Sequence, residues 1–178
     1  MEIKAEVVKR LRDLTAAGMM EAKQALAEAG GDFDQAVEIL KARGALIAAR
    51  KAERVAANGV VASYIHPGNK IGVLVEVMVE TDFVARDEKF MAFARDIAVH
   101  IAGMNPKYVL PEDVPADELS RQEDQQAYLN EVVLVNQPFV KDVSKTVGDL
   151  LNEQIGHFKE NIKIGRFVRM ELGVTPSC

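Results

Sequence analysis

Residues 58–86 read NGVVASYIHPGNKIGVLVEVMVETDFVAR, and within them the chain changes its period. Val60 to Ile65 and Ile71 to Val79 are β-branched and aliphatic runs, and Pro67-Gly68-Asn69 between them is a turn signal, so the pair is expected to form an antiparallel hairpin. The second run ends by presenting Asp82 and then Phe83, a ring standing between Asp82 and Arg86. Such a ring needs a pocket in its own core or in another molecule. The helix that follows supplies Phe90, Phe93, Ile97 and Ile101 to one apolar face, and the flanking charges aim Asp82-Phe83 at solvent. An exposed phenylalanine on a rigid strand end is an anchor for a partner's pocket.

Upstream of this stretch the period is helical. Val7, Leu11 and Leu14 share one face of a first helix ending near Thr15, and MMEAKQALAEAGG is a second, stopped by Gly30-Gly31. DFDQAVEILKARG opens with Asp32 as N-cap and Gln35 three residues on, the pattern of a capping box. These three helices are expected to form a small bundle over 1–44, and the alanine-rich ALIAARKAERVAA a connector helix over 45–57. Residues 58–178 then read as an α+β core and dimerisation domain with a C-terminal tail: the hairpin, a helix ending before Asn105-Pro106, an acidic helix-prone region over 111–131, a helix in SKTVGDLLNEQIGHF and a last strand in RFVRMEL. The fold class expected is α+β, a small antiparallel sheet covered by helices beside a three-helix bundle similar to ubiquitin-associated folds.

Composition excludes several functions. Residues 1–57 carry ten Lys/Arg against nine Asp/Glu and residues 58–178 twelve against eighteen, a net of −5, which disfavours a phosphate-neutralising surface for nucleic acid. One cysteine, Cys178, admits no internal disulfide, and no segment approaches the ~18 apolar residues of a membrane span, so a reducing, cytosolic setting is expected. His66, His100 and His157 have no metal-ligand spacing, and no GxSxG, Walker A or GxGxxG sequence occurs. Glu80 and Asp82 share a face of an extended strand and imitate an acid/base pair, but solvated strand-end carboxylates are far commoner. No enzyme and no cofactor are expected. Met19 and Met20, adjacent after TAAG, point about 100° apart on a helix, either as fillers of the bundle core or as an adaptable surface for a partner.

The segments LRDLTAAGMMEAKQAL, AARKAERVAANGVV, VLVEVMVETDFVAR, IAVHIAGMNPKYV, NQPFVKDVSKTVGDLL and NIKIGRFVRMELG together resemble bacterial translation elongation factor Ts over nearly the whole chain. Two departures stand out: Ala16 replaces a usual Gly, and Asn58 stands where an acid usually precedes Gly59. The resemblance implies a guanine-nucleotide exchange factor for elongation factor Tu. It implies that Phe83 enters a pocket of the partner's GTPase domain and disturbs its magnesium site, assisted by Asp82, with Thr81 and Val84 completing the turn. It also places Arg12, Met19, Met20 and Lys23 against that domain. Longer family members carry two hairpin modules, one with the Thr-Asp-Phe turn and one whose hairpin histidine touches the partner. Here one copy holds both, Ser63, Tyr64 and His66 as well as Thr81 to Phe83, so a twofold homodimer engaging two partner molecules is expected, His66 from one chain acting beside Phe83 of the other. The rival readings are a plain docking module, which has no need of the TDFVAR turn, and an enzyme, which lacks a nucleophile or metal constellation.

Overall fold

A computed structural model describes residues 3–15 and 17–174; the expectations for Ala16 and Cys178 fall outside these. The chain forms two compact units, Met1–Val55 with Leu151–Asn161, and Ala56–Leu150 with Ile162–Cys178.

In the first unit, α1 (Ala5–Thr15), α2 (Met19–Glu28) and α3 (Phe33–Lys51) enclose Val8, Leu11, Ala22, Ala25, Leu26, Ala36 and Leu40. Alanine at five of the facing positions or beside them lets the helices approach closely, which is how so short a segment closes a core. The Gly30-Gly31 stop is realised with φ +61 and +90, a left-handed region that glycine enters without the steric cost of a Cβ. Asp32 accepts the Gln35 N–H at 2.9 Å and starts α3. The third helix and the connector expected from the sequence are one helix: Gly44 lies in its interior, where glycine costs ~1 kcal/mol against alanine but does not end a helix held by tertiary contacts. Residues 52–57 are not helical.

The second unit is built on a three-stranded antiparallel sheet, order β1-β2-β5, from β1 (Asn58–Ile65), β2 (Ile71–Val79) and β5 (Ile162–Glu171). The hairpin turn has Pro67 in its second place and Gly68, φ +97, in its third, and the Asn69 N–H closes it on His66 O at 2.9 Å. Alternation in β2 turns Val73, Val75, Val77 and Val79 inward. Across that face lies α5 (Glu88–Met104), whose Phe90, Phe93, Ala94, Ile97, Ala98 and Ile101 follow the i, i+3, i+4 rule and are all buried. Asn105 ends α5 in the left-handed region, φ 49, just before Pro106. Two short helices, α6 (Ala116–Ser120) and α7 (Gln125–Val132), occupy the acidic region.

Two elements differ from the expectation. Pro138–Phe139 and Asp142–Thr146 form a small hairpin, β3–β4, so that SKT belongs to a strand and α8 begins only at Val147. The last strand starts four residues earlier than RFVRMEL, at Ile162, because Ile162 and Ile164 already alternate into the core. Gly165 and Arg166 face Glu76 at an irregularity in the β2–β5 ladder.

Candidate partner-binding site

Beyond β2 the chain is held on both sides of a single exposed ring. Thr81 is extended and its Oγ1 accepts the Val84 N–H at 3.4 Å, capping the one-turn helix α4 (Asp82–Ala85). Val84 and Ala85 are buried, and α4 packs on β1 and β2 through them. The Arg86 N–H donates to Phe83 O at 3.3 Å and the Asp87 N–H to Val84 O at 2.9 Å. Asp87 Oδ1 in turn accepts the Lys89 and Phe90 N–H groups at 2.8 and 3.4 Å and caps α5. The outer side of this clamp carries Phe83, 81% exposed, with Asp82 and Arg86 joined at 3.0 Å beside it. Phe83 is no core residue. Of the four turn residues, Thr81, Asp82 and Phe83 face solvent, whereas Val84 fixes the turn from within.

His66 sits at the other end of the hairpin, exposed, with its Nδ1 3.2 Å from the Tyr64 hydroxyl and the two rings edge to face. From Ile71 to Val79 the strand runs eight residue steps, roughly 26 Å at ~3.3 Å each. His66 and the Phe83 turn therefore lie at opposite ends of one sheet.

In the first unit, both Met19 and Met20 are exposed, Met20 at 76%; the bundle core is complete without them, so neither fills it. Lys23 is exposed on the same helix, and the Arg12 guanidinium pairs with the adjacent Asp13 at 2.5 Å. Glu21, in the first turn of α2, accepts hydrogen bonds from the Gly18 N–H at 2.9 Å and the Lys159 ammonium at 3.3 Å. The Gly18 bond, with Lys159 adding, holds its carboxyl below the usual carboxylate range.

Two polar features were missed from the sequence. Asn58, at the first position of β1, donates its Nδ2 to Glu80 O at 2.7 Å, immediately before Thr81. His100 is fully buried: its Nδ1 accepts the Val140 N–H at 3.2 Å, which leaves the ring proton on Nε2 to be donated to Gln137 Oε1 at 2.9 Å. Gln137 passes the chain on to Glu131 O at 2.5 Å. Burial pushes the His100 pKa down, partly offset by Gln137, so the imidazole is neutral. No group of three or more His, Cys, Asp or Glu side chains able to hold a metal occurs among the described residues.

The family model described as Elongation factor TS matches residues 1–127 and 124–174. Curated proteins named Elongation factor Ts are similar along their length. That of Acetivibrio thermocellus is 45% identical over 96% of this chain and 90% of its own. That of Pseudothermotoga lettingae is 44% identical over 97% and 99%, and that of Thermodesulfovibrio yellowstonii 41% over 98% of each.

Proposed function

The chain belongs to the elongation factor Ts family, a family of translation elongation factors, and on that premise we propose that it is a guanine-nucleotide exchange factor for elongation factor Tu. One observation carries the reading: a phenylalanine 81% exposed on a one-turn helix that is capped by Thr81 and anchored by the buried Val84 and Ala85. Leaving so much apolar surface in water stabilises nothing in the free protein, since burying a Phe side chain is worth ~1.5–3 kcal/mol. Its use is in a complex.

In this reading Arg12, Met19, Met20 and Lys23 seat the first unit on the partner's GTPase domain, and Phe83 enters a pocket between its helices. Asp82 and Thr81 accompany the ring, and Val84 holds the turn against the thrust. Magnesium keeps near-ideal octahedral geometry, so small displacements of its protein ligands loosen the nucleotide. No bond is made or broken by the factor. It binds the nucleotide-free partner more tightly than the GDP-bound one, and linkage requires that GDP weaken its own binding by the same ratio.

The working form proposed is a homodimer in the cytoplasm, one pair of chains serving two partner molecules. The outer face of the sheet supports this. Leu74 pairs with Val168 in the ladder, Gly72 with both Ile65 and Met170, and Leu172 follows on the same side. All five large side chains in that group are exposed, and together with Val61 they make one apolar surface bordered by the Glu76–Arg166 ion pair. A second copy about a dyad covers it with the same surface, and brings His66 of one chain toward the partner bound by Phe83 of the other.

The direct test is release of labelled GDP from elongation factor Tu with and without the protein. Stimulation that saturates with factor concentration is expected. No acceleration at any concentration would refute the exchange reading.

A further inference from the structure

Tyr64 near the end of β1 and His66 just beyond it are two residues apart on extended chain, so their side chains stand on one side. The two rings meet edge to face, with centroids 6.0 Å apart and planes at 68°. Both residues are held in place. Tyr64 is half-buried and lies opposite Val73 in the β1–β2 ladder. The His66 N–H donates to Ile71 O and the His66 carbonyl accepts the Asn69 N–H, both at 2.9 Å, so its backbone is fixed from two sides of the turn. The imidazole itself reaches solvent, and among the described residues its hydrogen-bond partner is the Tyr64 hydroxyl, 3.2 Å from Nδ1.

That contact decides what His66 offers a neighbour. A phenol is a good O–H donor and a poor acceptor, because its oxygen lone pair is shared with the ring, whereas an unprotonated imidazole nitrogen is a good acceptor. In the neutral ring the hydroxyl therefore donates to Nδ1, and the single ring proton is left on Nε2. In the cationic ring Nε2 carries a proton in any case. The nitrogen left for a neighbour is a donor in both forms, so a surface that meets it has to present an acceptor, a carbonyl or carboxylate oxygen.

We infer that Tyr64 is a positioning residue for the contact of His66 with elongation factor Tu, its hydroxyl fixing the tautomer and direction of the imidazole so that Nε2–H meets an oxygen acceptor on the partner; this rests on the exchange function proposed above and on the place of His66 in it.

Two readouts test this separately. Nitrogen NMR of the free protein with labelled histidine, at about pH 8.5 where an ordinary imidazole is neutral, reads the tautomer directly. His66 should show a protonated Nε2 and a bare, hydrogen-bonded Nδ1, the form that His100 holds in the core with Val140 and Gln137 as its partners. Tyr64→Phe keeps the ring and removes only the hydroxyl, so the His66 signals should move toward a mixture of tautomers while those of His100 stay. In GDP release from elongation factor Tu, Tyr64→Phe should raise the half-saturating concentration of the factor about threefold, and His66→Asn and His66→Ala about five- to tenfold, the effect of one hydrogen bond, with the maximal rate within about twofold of wild type. His66→Gln carries an amide N–H near the place of Nε2 and should recover most of the loss. A wild-type His66 in the Nδ1–H form, or a spectrum that Tyr64→Phe leaves unchanged, overturns the positioning role whatever the release assay gives. So does a half-saturating concentration that Tyr64→Phe does not alter, or a His66→Gln no better than His66→Ala, where wild type stimulates release. If wild type does not stimulate release, the exchange function falls and the use of the donor in it falls too, while the spectra still decide whether Tyr64 sets the tautomer.

Discussion

Phe83 and Phe90 lie seven residues apart and have opposite surroundings: the first is 81% exposed, the second 0%. The same truncation therefore has different effects at the two places. Phe90→Ala should cost ~3–5 kcal/mol in stability, as deletion of a core aromatic does, whereas Phe83→Ala should leave the melting temperature within about 2 °C of wild type. In GDP release the order reverses, with Phe83→Ala folded, still able to bind elongation factor Tu and nearly inactive, having lost an anchor worth ~2 kcal/mol or more in the complex. Thermal unfolding beside the release assay checks both, and a large fall in melting temperature for Phe83→Ala would return the ring to the core.

The buried imidazole gives the second unit a pH dependence whose sign is fixed. Burial holds the His100 pKa below its ordinary 6.5, so the unfolded chain takes up the proton first as pH falls. Its contribution to stability is complete above about pH 6.5 and is lost as pH falls through the lower folded value, so the unfolding free energy rises with pH across that window. Urea unfolding between pH 7.5 and 5 should show this slope. His100→Leu should reduce it, and should also cost ~1–3 kcal/mol at pH 7.5, because the Val140 N–H and Gln137 Oε1 lose their partner. An identical slope in the two proteins would contradict the assignment.

Glycines at two positions should respond oppositely to alanine. Gly59→Ala meets Val77 O at 2.2 Å in a backbone conformation closed to side chains, and is expected to destabilise the second unit by at least ~2 kcal/mol. At Gly44 the nearest atom to an added Cβ is Asn152 O at 3.7 Å, an ordinary contact inside a helix, so Gly44→Ala should stabilise by ~0.5–1 kcal/mol. Denaturant midpoints of the two variants settle the matter.

The homodimer is open to a charge test. Leu74→Lys combined with Val168→Lys sets two cations opposite each other on the apolar face without touching the inward side of either strand. Sedimentation equilibrium should change from dimer to monomer while circular dichroism is kept. Mixed Phe83→Ala and His66→Ala chains should regain activity in the heterodimer, at the interface where both wild-type groups meet. A fully active monomer, or mixing that restores nothing, would remove the dimer from the mechanism.

Which features were legible in the sequence follows from the range of the forces behind them. Periodicity is local, so α1, α2, α5 and the β1–β2 hairpin could be read from spacing, and the exposure of Phe83 from its charged flanks and the surplus of phenylalanine in α5. Gly44 misled because a stop signal acts only where tertiary contacts do not carry the helix through. The β3–β4 hairpin went unseen because Pro138 and a five-residue partner give no alternating run. Neither the His100–Gln137 bond, across 37 residues, nor the Asn58–Glu80 bond, across 22, leaves a pattern in either local segment. Each depends on register or packing that only the folded chain defines.

The one-turn helix after β2 divides its labour at a single peptide bond. Val84 turns into the sheet and Phe83, its neighbour, turns away from it. Side chains at 83 can thus vary in bulk, polarity or spectroscopic character while the scaffold keeps its melting behaviour. If the proposed exchange role holds, its strength and the stability of the fold are separately adjustable, and position 83, 81% exposed, is the natural place for a reporter group that senses a partner without disturbing the core.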